Sequence, residues 1–147
     1  MRLRLRRDRS RGQSLVEFAI VVPLFFLLLF AFIDVGRYVY TTTAYGQAAR
    51  EGARYGSVEQ WSFSCPGSVS PQTRKNCTES VTRSRVPAGA PAPAAGTAGV
   101  LFSCPATCRA GDLMSVRVTG PFNFFTPVIS TILGTPTVSQ TTQVVIQ

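Results

Sequence analysis

The alternation of polar and apolar positions divides this 147-residue chain unevenly. Twelve polar, arginine-rich residues lead into residues 18–33, FAIVVPLFFLLLFAFI, sixteen positions without a charge. Apolar side chains occupy every side of a helix there, so no amphipathic face remains to pack on a core. With Leu15, Val16 and Glu17 the segment is nineteen residues long. As a helix it covers roughly 28 Å at about 1.5 Å per residue, close to a hydrocarbon core of about 30 Å. The pattern predicts a membrane span. The alternative, a buried helix of a globular protein, fails because nothing later in so short a chain could cover it. Pro23 removes one helix hydrogen bond and can kink the span, which membrane helices tolerate.

Beyond the span the helical pattern continues, and one long helix is expected over residues 14 to about 56. Ala44, Ala48, Gly52 and Gly56 recur every four residues. They form a ridge without bulk, beside a second row at Tyr45, Ala49 and Ala53. A small-residue ridge lets another element approach the backbone closely. That element is either this chain's own outer domain or another subunit's helix, and the sequence leaves both open.

Residues 57–110 lack periodicity. They contain CPGSVSPQTRKNC, the Pro/Ala/Gly-rich VPAGAPAPAAGTAG, and CPATC, and read as irregular, with a linker or exposed loop in the middle. Order returns near Asp112. LMSVRVT alternates, with Met114, Val116 and Val118 on one face, and TVSQTTQVVIQ is rich in β-branched residues, so both read as strands. Between them Val128, Ile129, Ile132 and Leu133 suit one face of a short helix, packed in the core or resting on a membrane or partner. The expected fold is an α+β membrane protein. One long N-terminal helix, a single transmembrane span continuing outside, carries a small disulfide-stapled extracytoplasmic domain with a few antiparallel strands. The expected divisions are a basic leader (1–12), the transmembrane helix (13–34), its outer extension (35–57), a cysteine-containing loop region (58–111) and a β-rich segment (112–147).

Charge fixes the orientation. Residues 1–12 hold six arginines and one aspartate, net +5, leaving +3 of the total +8 for the rest of the chain. The basicity is therefore a leader property and says little about nucleic-acid affinity. With Arg37 and Arg50 the basic residues close behind the span, the N-terminus is expected in the cytoplasm and the C-terminus outside the plasma membrane. Asp34, Arg37, Tyr38 and Tyr40 suit the outer membrane–water boundary. Cys65, Cys77, Cys104 and Cys108 all follow the span, in a compartment where disulfides persist. Four cysteines allow three connectivities. The expectation is the local pairs Cys65–Cys77 and Cys104–Cys108, since the segment between them reads as too flexible to fix a cross-link. The chain has no histidine, one lysine (Lys75), no C-x-x-C pair and scattered outer acids. Neither an enzyme, a metal centre, a cofactor nor a small-molecule substrate is expected.

One carboxylate needs an explanation. In RSRGQSLVEFAIVVP, residues 9–23, Glu17 sits at the mouth of the span. A charge there either snorkels to the interface or has a partner. A cut after Gly12 would create one, the free α-amino group of Gln13, close to Glu17 along the helix and able to meet the Glu17 of a neighbouring chain. In a low-dielectric setting such a contact could set the register between subunits.

These residues resemble a known pattern. A basic leader, a glycine, then glutamate as the fifth residue after it, ahead of an apolar helix, looks like a type IV prepilin signal. The string from Gly12 through Glu17-Phe18-Ala19, Pro23, Asp34 and Gly36-Arg37 to the AAREGARYG run at 48–56 resembles the TadE-like family, pilin-like proteins of the Tad (tight adherence) pilus system. The resemblance implies a minor pilin or pseudopilin, cut after Gly12 by prepilin peptidase, with other pilin-like subunits, Tad membrane assembly proteins and the lipid bilayer as partners. The competing readings are a signal-anchored outer module for binding or sensing that keeps its leader, and a secreted protein released by ordinary signal peptidase. The second lacks an A-x-A site after Ile33.

Overall fold

The computed structural model describes residues 9–58, 73–105, 108–126, 129–131 and 134–147. A single helix, α1 (Arg9–Ser57), runs unbroken through Pro23. Its first half touches little of the chain, and its second half is the spine of a small domain. Helix α2 (Arg74–Ser84) crosses that spine, and three antiparallel strands pack beside it: β1 (Val100–Ser103), β2 (Leu113–Pro121) and β3 (Thr137–Val145), in spatial order β1-β2-β3. Val100 pairs with Val118 in one ladder, and Leu113 pairs with Val145 in the other. The domain is α+β, as the sequence leads one to expect.

The two small-residue rows of α1 serve two neighbours. Ala44, Ala48, Gly52 and Gly56 are all buried. A Cβ on Gly52 would overlap the hydroxyl of Thr82, and one on Gly56 would lie 2.8 Å from the Thr78 hydroxyl, so this end of the ridge seats α2 against the helix backbone. The second row seats the sheet. Ala53 joins Val100, Phe102, Met114, Val116 and Ile146 in one apolar cluster, and Tyr45 and Ala49 join Val118, Phe122 and Val138 in another. The inward residues of β2 are Met114, Val116 and Val118, the alternation read from LMSVRVT. The Tyr45 phenol donates to the Pro91 carbonyl (2.9 Å). Burial pushes its pKa up, which keeps it a protonated donor.

The expectation of irregular chain over 57–110 needs correction, because this stretch supplies α2 and β1. Thr73 caps α2 by accepting from the Asn76 N–H (3.2 Å), and the buried face of the helix is Cys77, Thr78, Val81 and Thr82. Three of those four are polar or sulfur-bearing, so no apolar period announces the helix. β1 has four residues, too few for alternation to stand out. Its edge is covered: Glu79 of α2 accepts from the Phe102 N–H (3.3 Å). The Pro/Ala/Gly-rich segment is likewise an anchored loop rather than a free linker. The Arg83 guanidinium donates to the carbonyls of Ala94 (2.9 Å) and Gly96, and the Ala94 N–H donates to the Thr119 carbonyl (3.1 Å). The loop is held through backbone groups as well as through Val86 and Ala90, which pack against the second apolar cluster.

Cys104 and Cys108 form a disulfide that packs against the first apolar cluster. Cys77 is fully buried in α2. Cys65 lies outside the described residues, and with it the expected Cys65–Cys77 pair. Of the expected short helix, Val128, Ile132 and Leu133 lie outside the described residues as well; residues 129–131 are helical.

Candidate assembly and membrane site

The candidate site is the first half of α1 and its two polar ends. Between them the helix presents apolar side chains on every side: Leu15, Phe18, Leu24 and Phe32 are each more than two-thirds exposed, and the most apolar window of the helix is wholly unburied. Among the described residues this is the one helix long and apolar enough to cross a membrane. In water such a surface would be a liability, and lipid removes it.

At the N-terminal end, Gly12, Gln13 and Glu17 are exposed and lie on one helical stretch, because α1 starts at Arg9, before the leader boundary expected at residue 12. The Gln13 side-chain amide donates to the Glu17 carboxylate (3.4 Å), one turn along the same face. Gly12 has no neighbour within 4 Å of where a Cβ would sit, and its φ is not left-handed. Among the described residues nothing in the packing, and nothing in the backbone at Gly12, calls for glycine there. A glycine in a helix interior costs about 1 kcal/mol relative to alanine.

At the C-terminal end of the apolar run, Asp34 is 2% exposed and reaches a loop some ninety residues later in sequence. Its Oδ1 accepts from the Phe125 N–H (2.8 Å), and its Oδ2 accepts from the Thr126 N–H (3.0 Å) and the Thr126 hydroxyl (2.8 Å). Arg37 completes the arrangement. One guanidinium nitrogen lies 3.5 Å from Asp34 Oδ1 and donates to the Asn123 carbonyl (3.4 Å), while the guanidinium carbon stands 5.7 Å from the centre of the Phe122 ring. Tyr38 meets Phe122 edge-on at 5.5 Å. The loop after β2 is thereby fixed to α1 where the apolar surface ends.

The sequence marks Asp34 and Arg37 as boundary residues but conceals their partner. Asn123, Phe125 and Thr126 carry no spacing relation to residue 34. The available clue was the lone acid closing an otherwise uncharged run, since a carboxylate at that depth calls for donors.

The family model described as TadE-like protein matches residues 12–54. Over these residues the chain is similar to the TadE-like family. The TadE-like segment begins at Gly12, holds Glu17, Asp34 and Arg37, and ends among the residues that pack α2 and the sheet, so it covers the whole candidate site on α1. The match links the chain to Tad pilus systems in general. No curated protein and no solved structure matches this chain.

Proposed function

We propose that this protein is a minor pilin or pseudopilin, an assembly subunit of a Tad-type adhesive pilus held in the plasma membrane with its N-terminus cytoplasmic and its domain outside. The observation that carries this reading is the TadE-like match, which starts at Gly12. It is supported by the absence of any packing demand for glycine at that position, as a recognition role for a peptidase would leave it. In this reading prepilin peptidase cuts between Gly12 and Gln13. The new ammonium of Gln13 then pairs with a Glu17 carboxylate on a neighbouring pilin-like subunit. The all-round exposed apolar helix is what a subunit needs to pass from lipid to contact with other helices.

Substituting Glu17 with alanine is expected to leave membrane insertion and cleavage intact while lowering pilus output. An interhelical pair of this kind in low dielectric is worth on the order of 1–2 kcal/mol per contact, repeated at each subunit junction. Sheared surface pili and adherence, compared between wild type and Glu17→Ala at equal membrane abundance, measure this. Wild-type output from the variant would remove the ion pair from the mechanism.

A second reading, an outer binding or sensing module that retains its leader, draws on the Gln13–Glu17 side-chain contact, which gives Glu17 a partner without any cut. The two readings differ in the N-terminus of the mature chain.

A further inference from the structure

We propose that the loop after β2 is a second membrane contact, with Phe125 inserted among the acyl chains of the outer leaflet beside Phe30. The inference rests on the reading of residues 13–34 as a membrane span. Phe125 is 68% exposed, more than any other large apolar side chain described outside α1, and as exposed as Phe18 and Leu24 within the span. It is held in that position: the Asp34 carboxylate takes the N–H groups of Phe125 and Thr126, and the Phe125 ring lies 6.0 Å from that of Phe30. Phe30 is four residues before Asp34, about 6 Å deeper along the helix at 1.5 Å per residue. A ring packed at that level is below the plane where the span leaves the hydrocarbon.

The surroundings fit an interface. Arg37 and the half-exposed Tyr38 and Tyr40 follow on α1, the residue types that settle at headgroup level. Phe122 is buried and Phe124 half-buried against it, so the loop directs one aromatic outward and two inward. Lipid is the occupant favoured over a second protein chain because the exposed ring continues, without a break, the apolar surface of α1 that already faces lipid on every side. Two points of contact would fix the tilt of the domain on the bilayer, where a helix alone leaves it free to swing.

The test uses the full chain in phosphatidylcholine–phosphatidylglycerol vesicles, with Trp61 replaced by phenylalanine so that a single tryptophan can be placed at will. The variants are Phe125→Trp, Phe26→Trp in the span, and Leu113→Trp, at the end of β2 far from the span. Lipids brominated near the carbonyl end or near the methyl end of the acyl chains report depth by quenching. The expected result is that Phe125→Trp is quenched by the shallow bromines at least half as strongly as Phe26→Trp is by the deep ones, with Leu113→Trp unaffected. If Phe125→Trp resists quenching while Phe26→Trp is quenched, the loop contact is overturned and the span stands. A blue-shifted but unquenched Phe125→Trp means burial against protein and equally overturns it. An unquenched Phe26→Trp removes the span and the loop contact together.

Discussion

Replacing Asp34 with alanine is expected to release the 122–126 loop from α1, with the amides of Phe125 and Thr126 exchanging their hydrogens roughly 100-fold faster. The carboxylate is the acceptor for three donors, and Thr126 is 3% exposed, so water cannot take its place without the loop moving. Hydrogen bonds to a charged group are worth about 1.5–3 kcal/mol each, and buried donors left unpaired cost about 1–3 kcal/mol each. Even the low end sums to about 3 kcal/mol, which is the hundredfold change. The loop escapes a larger loss by undocking, so local opening rather than global unfolding is the expected response. Arg37→Ala should do much less, since its side chain is 45% exposed and an exposed partner of an ion pair contributes about 0–1 kcal/mol. Site-resolved hydrogen exchange on the full chain in vesicles or detergent reads both variants. Unchanged exchange at Phe125 and Thr126 in Asp34→Ala would mean that other contacts dock the loop.

Gly52→Ala is the second large effect, and its sign is the informative part. Alanine is favoured over glycine in a helix by about 1 kcal/mol, so by propensity alone the variant should be more stable. The new methyl would overlap the Thr82 hydroxyl and lie 3.0 Å from Thr82 Cβ. Thr82 cannot rotate away cheaply: it is fully buried, its hydroxyl donates to the Thr78 carbonyl (2.6 Å), and another rotamer brings its methyl group into the same space. α2 must therefore move off α1, and overpacking of this kind costs about 1–3 kcal/mol or more. The net expectation is a loss of about 1–2 kcal/mol after the propensity gain. Gly36→Ala is the matched control, because nothing lies within 4 Å of that position and propensity acts alone. Thermal or denaturant unfolding of the α+β domain separates the two, with Gly52→Ala less stable than wild type and Gly36→Ala equal or slightly more stable. A stabilised Gly52→Ala would show that α2 does not sit on the glycine backbone.

Those two sites also mark where sequence reasoning reached and where it stopped. The span, the long helix and the two long strands were legible, because each repeats one physical demand over many residues: apolarity on all sides, small residues every fourth position, or strict alternation. The residues forming the ridge were legible too, whereas its partner was not. α2 fills the groove with threonines instead of aliphatic side chains, since short β-branched groups are what a glycine-lined groove admits, and threonine reads as loop material. β1 was hidden by its length, and the anchored Pro/Ala/Gly loop because its backbone hydrogen bonds and the isolated contacts of Val86 and Ala90 make no period in the side-chain pattern. The polar site at Asp34 was half legible. Asp34 stands out as a lone acid after sixteen uncharged residues, but a contact across ninety residues of chain has no local signature.

The N-terminal end of the TadE-like segment carries the functional reading. There the structure leaves Gly12 unconstrained and Gln13 and Glu17 on one face, one turn apart. The most direct measurement is the intact mass and N-terminal sequence of the protein taken from its native membrane, beside a Gly12→Leu variant that preserves the helix. Mature chains beginning at Gln13 in the wild type, with the full leader retained in the variant, are the expected result and make assembly the function of the span. Wild-type chains that keep the residues before Gln13 would contradict it: Glu17 would then have no ammonium partner, and the protein would be a permanently anchored outer module.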